Sequence, residues 1–249
     1  MIIVQLLGGF GNQLFQYAAG LCLAEKKQVP LKVDVSEYNV DQLRNFELHA
    51  LQVPLEIATP QELAPYSKPN FIQRLWGKLV PRSNAGIFKE RHFHFDPQFF
   101  VVPMPVYLRG YWQSEKYFEA IQDRIRRDFV FRPEVIQKVT NVAEEIRKEN
   151  SVSVHIRRGD YTNPKVQKTI GPIPIDHYQK AIQRIQEKVQ QPRFYFFSDD
   201  IPWVQENLKI PGAIYASKNL SHNHFEDMYL MSQCRHNIIA NSSSDVLCG

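Results

Sequence analysis

The sequence predicts an α/β protein built twice over, each half a set of short buried strands feeding helices. Three observations carry this. Residues 2–7 are an apolar run that stops at Gly8-Gly9 and gives way to a helical pattern from Leu14 to Lys27. Val152, Val154 and Ile156 alternate in a second run that breaks at Gly159, and residues 194–197 form a third that ends in Ser198-Asp199-Asp200. Strands alternating with helical segments point to parallel sheets. Open parallel sheets bind ligands at the carboxyl ends of their strands, so the residues just after each run are the first candidates for chemistry.

In order, residues 2–7 suit a strand buried on both faces. Gly8-Gly9-Phe10-Gly11-Asn12-Gln13 turns the chain, after which Leu14, Tyr17, Ala18, Leu21 and Cys22 share one helical face. Residues 31–35 make the next strand, ending near Asp34. The glycine turn matches a dinucleotide fingerprint only in part, because Leu14 occupies the third glycine position. Either Gly11 and the Asn12 amide meet an anionic ligand at the helix start, or the turn serves chain geometry alone.

Residues 43–51 have short helical periodicity, and Pro54, Pro60, Pro65 and Pro69 divide the next stretch into loops and short helices. Lys68, Arg74, Lys78, Arg82, Lys89 and Arg91 stand against Glu90, with Phe71 and Trp76 interleaved. This stretch is either a solvated basic face or a surface for an anionic membrane or glycolipid. On a strand, His92, His94 and Asp96 would share one face as a metal triad, although no fourth ligand is evident; His222, His224 and Glu226 raise the same question. Residues 106–108 lead into Gly110-Tyr111-Trp112-Gln113. Tyr111, Trp112 and Gln113 suit a sugar-binding wall of flat apolar faces and polar tips, with core packing of the two rings as the alternative. Residues 117–129 and 133–148 read as helices, the second with Pro133 in its first turn. The domain junction falls there, giving residues 1–132 and 133–249.

The second half repeats the theme. A strand over 151–156 is followed by a loop over 162–174, long and basic enough to close over a ligand. A helix over 176–189, the strand over 194–197, a helix over 225–234 and a strand over 236–240 come next, and Asn241-Ser242-Ser243-Ser244-Asp245 forms a hydroxyl-rich turn. If this sheet is parallel, Arg157 and Arg158, Asp199 and Asp200, and Ser242 and Ser243 gather on one rim. Arg157-Arg158 beside Asp160 and His155 is costly at a strand end without an anion to neutralise it. A diphosphate fits, since the guanidinium fork matches phosphate oxygens bidentately. Surface pairing with Asp160 is the alternative.

With 43% hydrophobic and 22% charged residues, the 249-residue chain is of ordinary globular composition. A net charge of +4 favours anionic ligands but is too small to indicate nucleic acid. Cys22, Cys234 and Cys248 form no CxxC pair and read as reduced thiols of a cytosolic protein. The apolar start lacks a basic n-region and is a strand rather than a signal peptide.

HIRRGDY (155–161), GGFGNQLFQYAAG (8–20), GYWQSEKYF (110–118), FYFFSDD (194–200) and LMSQCRHNIIANSS (230–243) resemble, in order and over nearly the whole chain, the bacterial α-1,2-fucosyltransferases of glycosyltransferase family 11. The resemblance implies two Rossmann-like domains facing across a cleft (GT-B-like). Residues 1–132 would form the acceptor side and residues 133–249 the GDP-fucose side. It implies transfer of L-fucose from GDP-β-L-fucose, with inversion, to the 2-hydroxyl of a galactoside. Arg157 then holds the β-phosphate, Arg158 supports the same loop, and His155 with Asp199 or Asp200 lies toward the guanine. Gly11 and Asn12 face the transferring sugar, and Ser242 and Ser243 donate to the pyrophosphate. Asp160 is the candidate base, with His155 second.

Fixed cations aimed at the leaving diphosphate stabilise an oxocarbenium-like transition state, so no metal or other cofactor is expected. The implied partners are GDP-fucose and a galactose-containing oligosaccharide or glycolipid. The implied location is cytoplasmic, with peripheral contact at the inner face of the membrane. Relatives continue after Asn-Ser-Ser with an aromatic, a serine and paired tryptophans, whereas here Ser244-Asp245-Val246-Leu247-Cys248-Gly249 closes the chain. The second domain is therefore expected to be shortened, which leaves a non-catalytic GDP-sugar or glycan-binding remnant as the alternative. A metal-dependent transferase using Asp199 and Asp200 has adjacent rather than alternating carboxylates against it, and a nicotinamide dehydrogenase rests only on the glycine turn and Asp34.

Overall fold

β1 (Ile2–Gln5) is buried along its whole length, as a strand covered on both faces must be. It belongs to a computed structural model that describes residues 1–40, 44–66, 86–167, 171–221, 223–243 and 245. The chain divides into two compact units, Met1–Val130 and Phe131–Gly249.

In the first unit β1 is followed by α1 (Phe10–Lys27), β2 (Leu31–Asp34), α2 (Pro60–Leu63), β3 (Gly86–Lys89), β4 (Val106–Arg109) and α3 (Gln122–Asp128). The four strands form one sheet in the order β2-β1-β4-β3, every pair parallel. α1 begins earlier than its apolar periodicity suggests because the glycine turn winds directly into it: Asn12 and Gln13 both donate their amides to the Gly9 carbonyl, at 3.0 and 3.2 Å. Gly8 has φ +76°, and a Cβ there would stand 2.5 Å from the Asn12 side-chain nitrogen, so that position needs glycine for conformation and for room.

Two glutamines of α1 are fully buried and tie the carboxyl edge of this sheet together. Gln16 Oε1 accepts from the Leu7 amide at 3.0 Å, while its Nε2 donates to the carbonyls of Leu7 (3.3 Å) and Gly110 (3.2 Å). One side chain thus joins the turn after β1 to the turn after β4. Gln13 donates to the Gly8 and Asn45 carbonyls and accepts from the Glu47 amide, pinning a loop that has no ladder of its own.

The first unit departs from the sequence reading in several places. β3 falls inside a stretch read as a solvated basic face or a surface for a membrane or glycolipid, because four residues of alternating partial burial give little apolar signal; residues 67–85 of that stretch lie outside the described residues. Residues 92–94 are bends, not a strand, so no shared strand face gathers His92, His94 and Asp96. Among the described residues no group of three or more His, Cys, Asp or Glu is placed to hold a metal ion, and His222 lies outside them. The helix read over 117–129 is two 3₁₀ turns, Glu115–Tyr117 and Glu119–Ile121, and then α3.

The second unit contains α4 (Pro133–Lys148), β5 (Ser151–Ile156), α5 (Pro164–Gln167), α6 (Ile175–Lys188), β6 (Arg193–Ser198), α7 (Ile201–Asn207), β7 (Ile214–Tyr215), α8 (His224–Ser232) and β8 (His236–Ile238). Its sheet runs β7-β6-β5-β8, again wholly parallel. Val152, Val154 and Ile156 of β5 and Phe194 and Phe196 of β6 face Tyr178 and Ile182 of α6 in one buried cluster. Alternation sends His155 and its register partner Phe197 to the opposite face. No helix among the described residues is long and apolar enough to cross a membrane.

Gln16→Leu keeps the volume of the side chain but strips partners from the Leu7 amide and from two carbonyls. It is expected to lower stability by about 2–4 kcal/mol, read as a lower urea midpoint for the unfolding of the first unit.

Candidate active site

Because β5, β6 and β8 are parallel, their carboxyl ends lie on one edge of the second sheet, and the candidate residues that come after each strand lie along it. After β5 come Arg157 and Arg158, and after β6 come Asp199 and Asp200. The arginines meet these carboxylates. Arg157 Nη1 lies 3.1 Å from Asp199 Oδ2 and Arg158 Nε lies 3.2 Å from Asp200 Oδ2. Asp199 Oδ1 also accepts the Arg158 amide at 3.0 Å. Gly159 leaves the room: a Cβ there would stand 2.5 Å from Asp199 Oδ2.

The two pairs differ. Arg158 is clamped, its guanidinium lying 3.7 Å over the Trp203 ring, while Asp200 also caps α7 by accepting the Trp203 amide at 3.2 Å. Arg157 and Asp199 line a cavity of 230 Å³ together with His155, Asp227, His224 and Ser242. Asp199 and Asp200, one or the other of which the family resemblance implies toward the guanine, are paired with the arginines here, and Asp199 also lines the cavity. A guanidinium pair gathers the nearest carboxylates across the parallel register, and β6 supplies them. Ser242 reaches the cavity wall; Ser243, one residue on, is not among its lining residues. Asp160 opens the 3₁₀ turn Asp160–Thr162, and its side chain lies outside the described residues.

Three residues of this site were not singled out from sequence. Asp227, in the first turn of α8, accepts from the Ser217 hydroxyl at 2.6 Å and from the Ser221 hydroxyl. Ser217 in turn accepts the Ser198 amide at 3.0 Å, so the carboxylate is keyed to the end of β6. Burial pushes the Asp227 carboxyl above its ordinary value of 3.8, against the opposing pull of the two hydroxyls. Lys218 brings an ammonium to the rim from a left-handed backbone position, φ +68°. Asp245 Oδ1 lies 2.6 Å from His155 Nδ1. From sequence, Asp227 resembles any acid in the first turn of a helix and Asp245 any capping residue.

The remaining candidates belong to the first unit. Asn12 Oδ1 accepts from Gln113 Nε2 at 2.6 Å, joining the turn after β1 to the turn after β4, and Gly11 is buried in the first turn of α1. The 110–113 turn is shaped by Glu90, whose carboxylate accepts the amides of Tyr111 (2.7 Å) and Trp112 (3.1 Å). Tyr111 is half-buried, with Gln113 beside Asn12. Trp112 is not an exposed wall. It is fully buried, stacked on Phe88 at 5.8 Å and packed against Phe99 and Tyr117, because a left-handed backbone (φ +55°) turns its ring into the core.

Two parallel α/β sheets, the second with a charged carboxyl edge around a cavity, place the chain in the doubly wound α/β class. The match is closer than class. Residues 86–246 fit the model of glycosyl transferase family 11, and the chain belongs to that family. It is 32% identical over 98% of its length, and 84% of the relative's, to an alpha-1,2-colitosyltransferase of Escherichia coli. It is 23% identical to the mouse galactoside alpha-(1,2)-fucosyltransferase 2, over 95% of this chain and 64% of that one. The crystal structure of the fucosyltransferase NodZ from Bradyrhizobium shares the fold, with a TM-score of 0.58 at 14% identity over 99% of this chain and 91% of the other. A second NodZ crystal, of an alpha-1,6-fucosyltransferase soaked with GDP-fucose, gives a TM-score of 0.57 over the same shares at the same identity.

The raised pKa of Asp227 has a definite sign in stability. The folded state holds this proton more tightly than the unfolded chain, so its contribution is greatest below the ordinary value and is lost as pH rises through the folded value. Asp227→Asn is expected to flatten that decline, its urea midpoint gaining on the parent as pH rises above the ordinary carboxyl value of 3.8.

Proposed function

We propose that the chain transfers L-fucose from GDP-β-L-fucose to the 2-hydroxyl of a galactoside, with inversion and without a metal. The observation that carries this is the Arg157–Asp199 pair on the cavity wall: a planar cation already holding an oxyanion at the sheet edge where α/β proteins bind nucleotides. The donor's β-phosphate takes the place of the Asp199 carboxylate on Arg157. As the glycosidic bond breaks, negative charge grows on that phosphate, and a fixed guanidinium stabilises it more in the transition state than in the ground state. Arg158, clamped by Asp200 and Trp203, holds the backbone from which Arg157 projects. Ser242 and Ser243 donate to the pyrophosphate.

A cavity of 230 Å³ is smaller than the roughly 300–1,000 Å³ of sites for whole drug-sized ligands and suits the base end of a nucleotide. Asp227 keeps lone pairs beyond those used by two hydroxyls, and a guanine offers two adjacent N–H groups to a carboxylate. Uracil offers a single N–H between two carbonyls that a carboxylate repels. On this reading guanine is the base assigned to the cavity. Gly11, Asn12, Tyr111 and Gln113 are assigned to the sugars, with a galactose-containing oligosaccharide or glycolipid as acceptor at the cytoplasmic face of the membrane. Asp160 is assigned the proton released by the acceptor hydroxyl, and His155 remains on the donor side.

The relative named for colitose transfer supports a second reading, in which the same site uses a GDP-linked colitose. Turnover of the two donors side by side separates them. GDP binding with transfer of neither sugar establishes the binding-only alternative.

Thermal shift with GDP, UDP and NAD is expected to show a rise with GDP alone, and transfer is expected to survive chelator. Arg157→Ala should lower transfer about 100- to 1,000-fold; turnover within a few-fold of the parent would remove the arginine from the mechanism. Asp199→Asn retains an acceptor for the Arg158 amide but takes the counter-charge away from Arg157, so the Kd for GDP by calorimetry should fall about 2- to 5-fold.

A further inference from the structure

We infer that Asp245 fixes the tautomer of His155, so that the neutral ring offers Nε2 as a hydrogen-bond acceptor to an N–H or O–H group of the bound nucleoside. The inference rests on the donor site proposed above and adds to it a positioning residue and the proton state of a binding residue.

His155 sits on β5 on the face opposite the Val152–Val154–Ile156 cluster and lines the cavity. Its Nδ1 lies 2.6 Å from Asp245 Oδ1. The other oxygen of the same carboxylate, Oδ2, accepts the Ala240 amide at 3.1 Å. With its side chain 4% exposed, Asp245 has little recourse to water, so these two donors are what its oxygens rest on. An ionised carboxylate only accepts, and Nδ1 must therefore carry the hydrogen. The ring's other polar atom is Nε2, which in the neutral ring bears a lone pair. In its neutral form the histidine then presents an acceptor to the cavity, the complement of the donor groups that Arg157 and Lys218 contribute.

No other side chain of this size does the same. Asparagine has one acceptor oxygen. If that oxygen keeps the Ala240 amide, the NH₂ group faces Nδ1 and drives the ring proton to Nε2; if it keeps Nδ1–H, the NH₂ group faces the Ala240 N–H and both donors go unpaired. The buried carboxylate sets the tautomer because it alone satisfies two donors at once. A hydrogen bond that decides which ring nitrogen carries the proton is how histidines are set for binding in general.

The test uses the full chain labelled with ¹⁵N. Long-range ¹H–¹⁵N spectra identify the His155 ring by its loss in His155→Gln and report which nitrogen is protonated. The parent is expected to show the Nδ1–H form, and Asp245→Asn to move the proton wholly or partly to Nε2. In calorimetry Asp245→Asn is expected to weaken GDP binding about tenfold while changing inorganic pyrophosphate binding less than about twofold, since pyrophosphate reads the arginine and not the nucleoside. A doubly protonated ring or an Nε2–H ring in the parent, or a ring state unchanged by Asp245→Asn, overturns the inference. Equal losses for GDP and pyrophosphate also overturn it, by showing general loosening of the edge. Failure of the parent to bind GDP defeats the donor-site reading instead, and the ring spectrum then decides the tautomer assignment alone.

Discussion

The second unit depends on opposite charge meeting across the carboxyl ends of two parallel strands. Register pairs His155 with Phe197 and Ile156 with Ser198, so the next residues on each strand, two arginines on one and two aspartates on the other, are neighbours by construction. Two guanidiniums side by side repel and resist desolvation. The aspartates remove that penalty without freezing the edge, because the two pairs are built differently. Arg158–Asp200 is reinforced by an aromatic ring and a helix cap. Arg157–Asp199 borders the cavity, with side chains 29% and 26% exposed. A pair with that much access to water contributes little to stability. Arg158 is fixed by a ring and a capping carboxylate, and Arg157 stays at the cavity wall.

The strand–turn–helix order was legible where a strand is a concentrated apolar run cut off by glycine or charge, as β1, β5 and β6 are, and where a helix such as α4 or α6 carries strong periodicity. What escaped was short or mixed. β3 and β7 have four and two residues, and α7 opens directly from an acidic turn whose carboxylate is its cap. Such elements are held by neighbours in space rather than by their own pattern. Trp112 shows the same limit at one residue. An aromatic after a strand-ending glycine suits either a wall or a core, and Glu90, more than twenty residues earlier, decides by holding the Tyr111 and Trp112 amides.

The site was legible in its cations and not in its buried acids. Adjacent arginines advertise themselves because nothing but an anion makes them affordable at a strand end. Asp227 and Asp245 occupy positions, a first helical turn and a hydroxyl-rich turn, where acids are common for local reasons. Their roles come from partners many residues away: Ser217 and Ser221 for one, His155 for the other. Long-range hydrogen bonds of this kind leave no spacing to read.

The motifs that resemble the family also turn out to be mixed in kind. In the opening block, Gln13 and Gln16 are fully buried and satisfy backbone groups, whereas Asn12, beside Gln13 in the same turn, directs its amide toward Gln113. A helix start cannot hold an exposed amide in place by itself. The buried glutamines stitch the ends of β1 and β4 to the helix, and that stitching fixes where Asn12 points. In the second unit the Ser198–Ser217–Asp227 chain does for a carboxylate what Gln16 does for an amide. In both units polar groups at the sheet edge stand on polar side chains that are themselves hydrogen-bonded, which is how a sheet edge made of loops keeps a defined geometry.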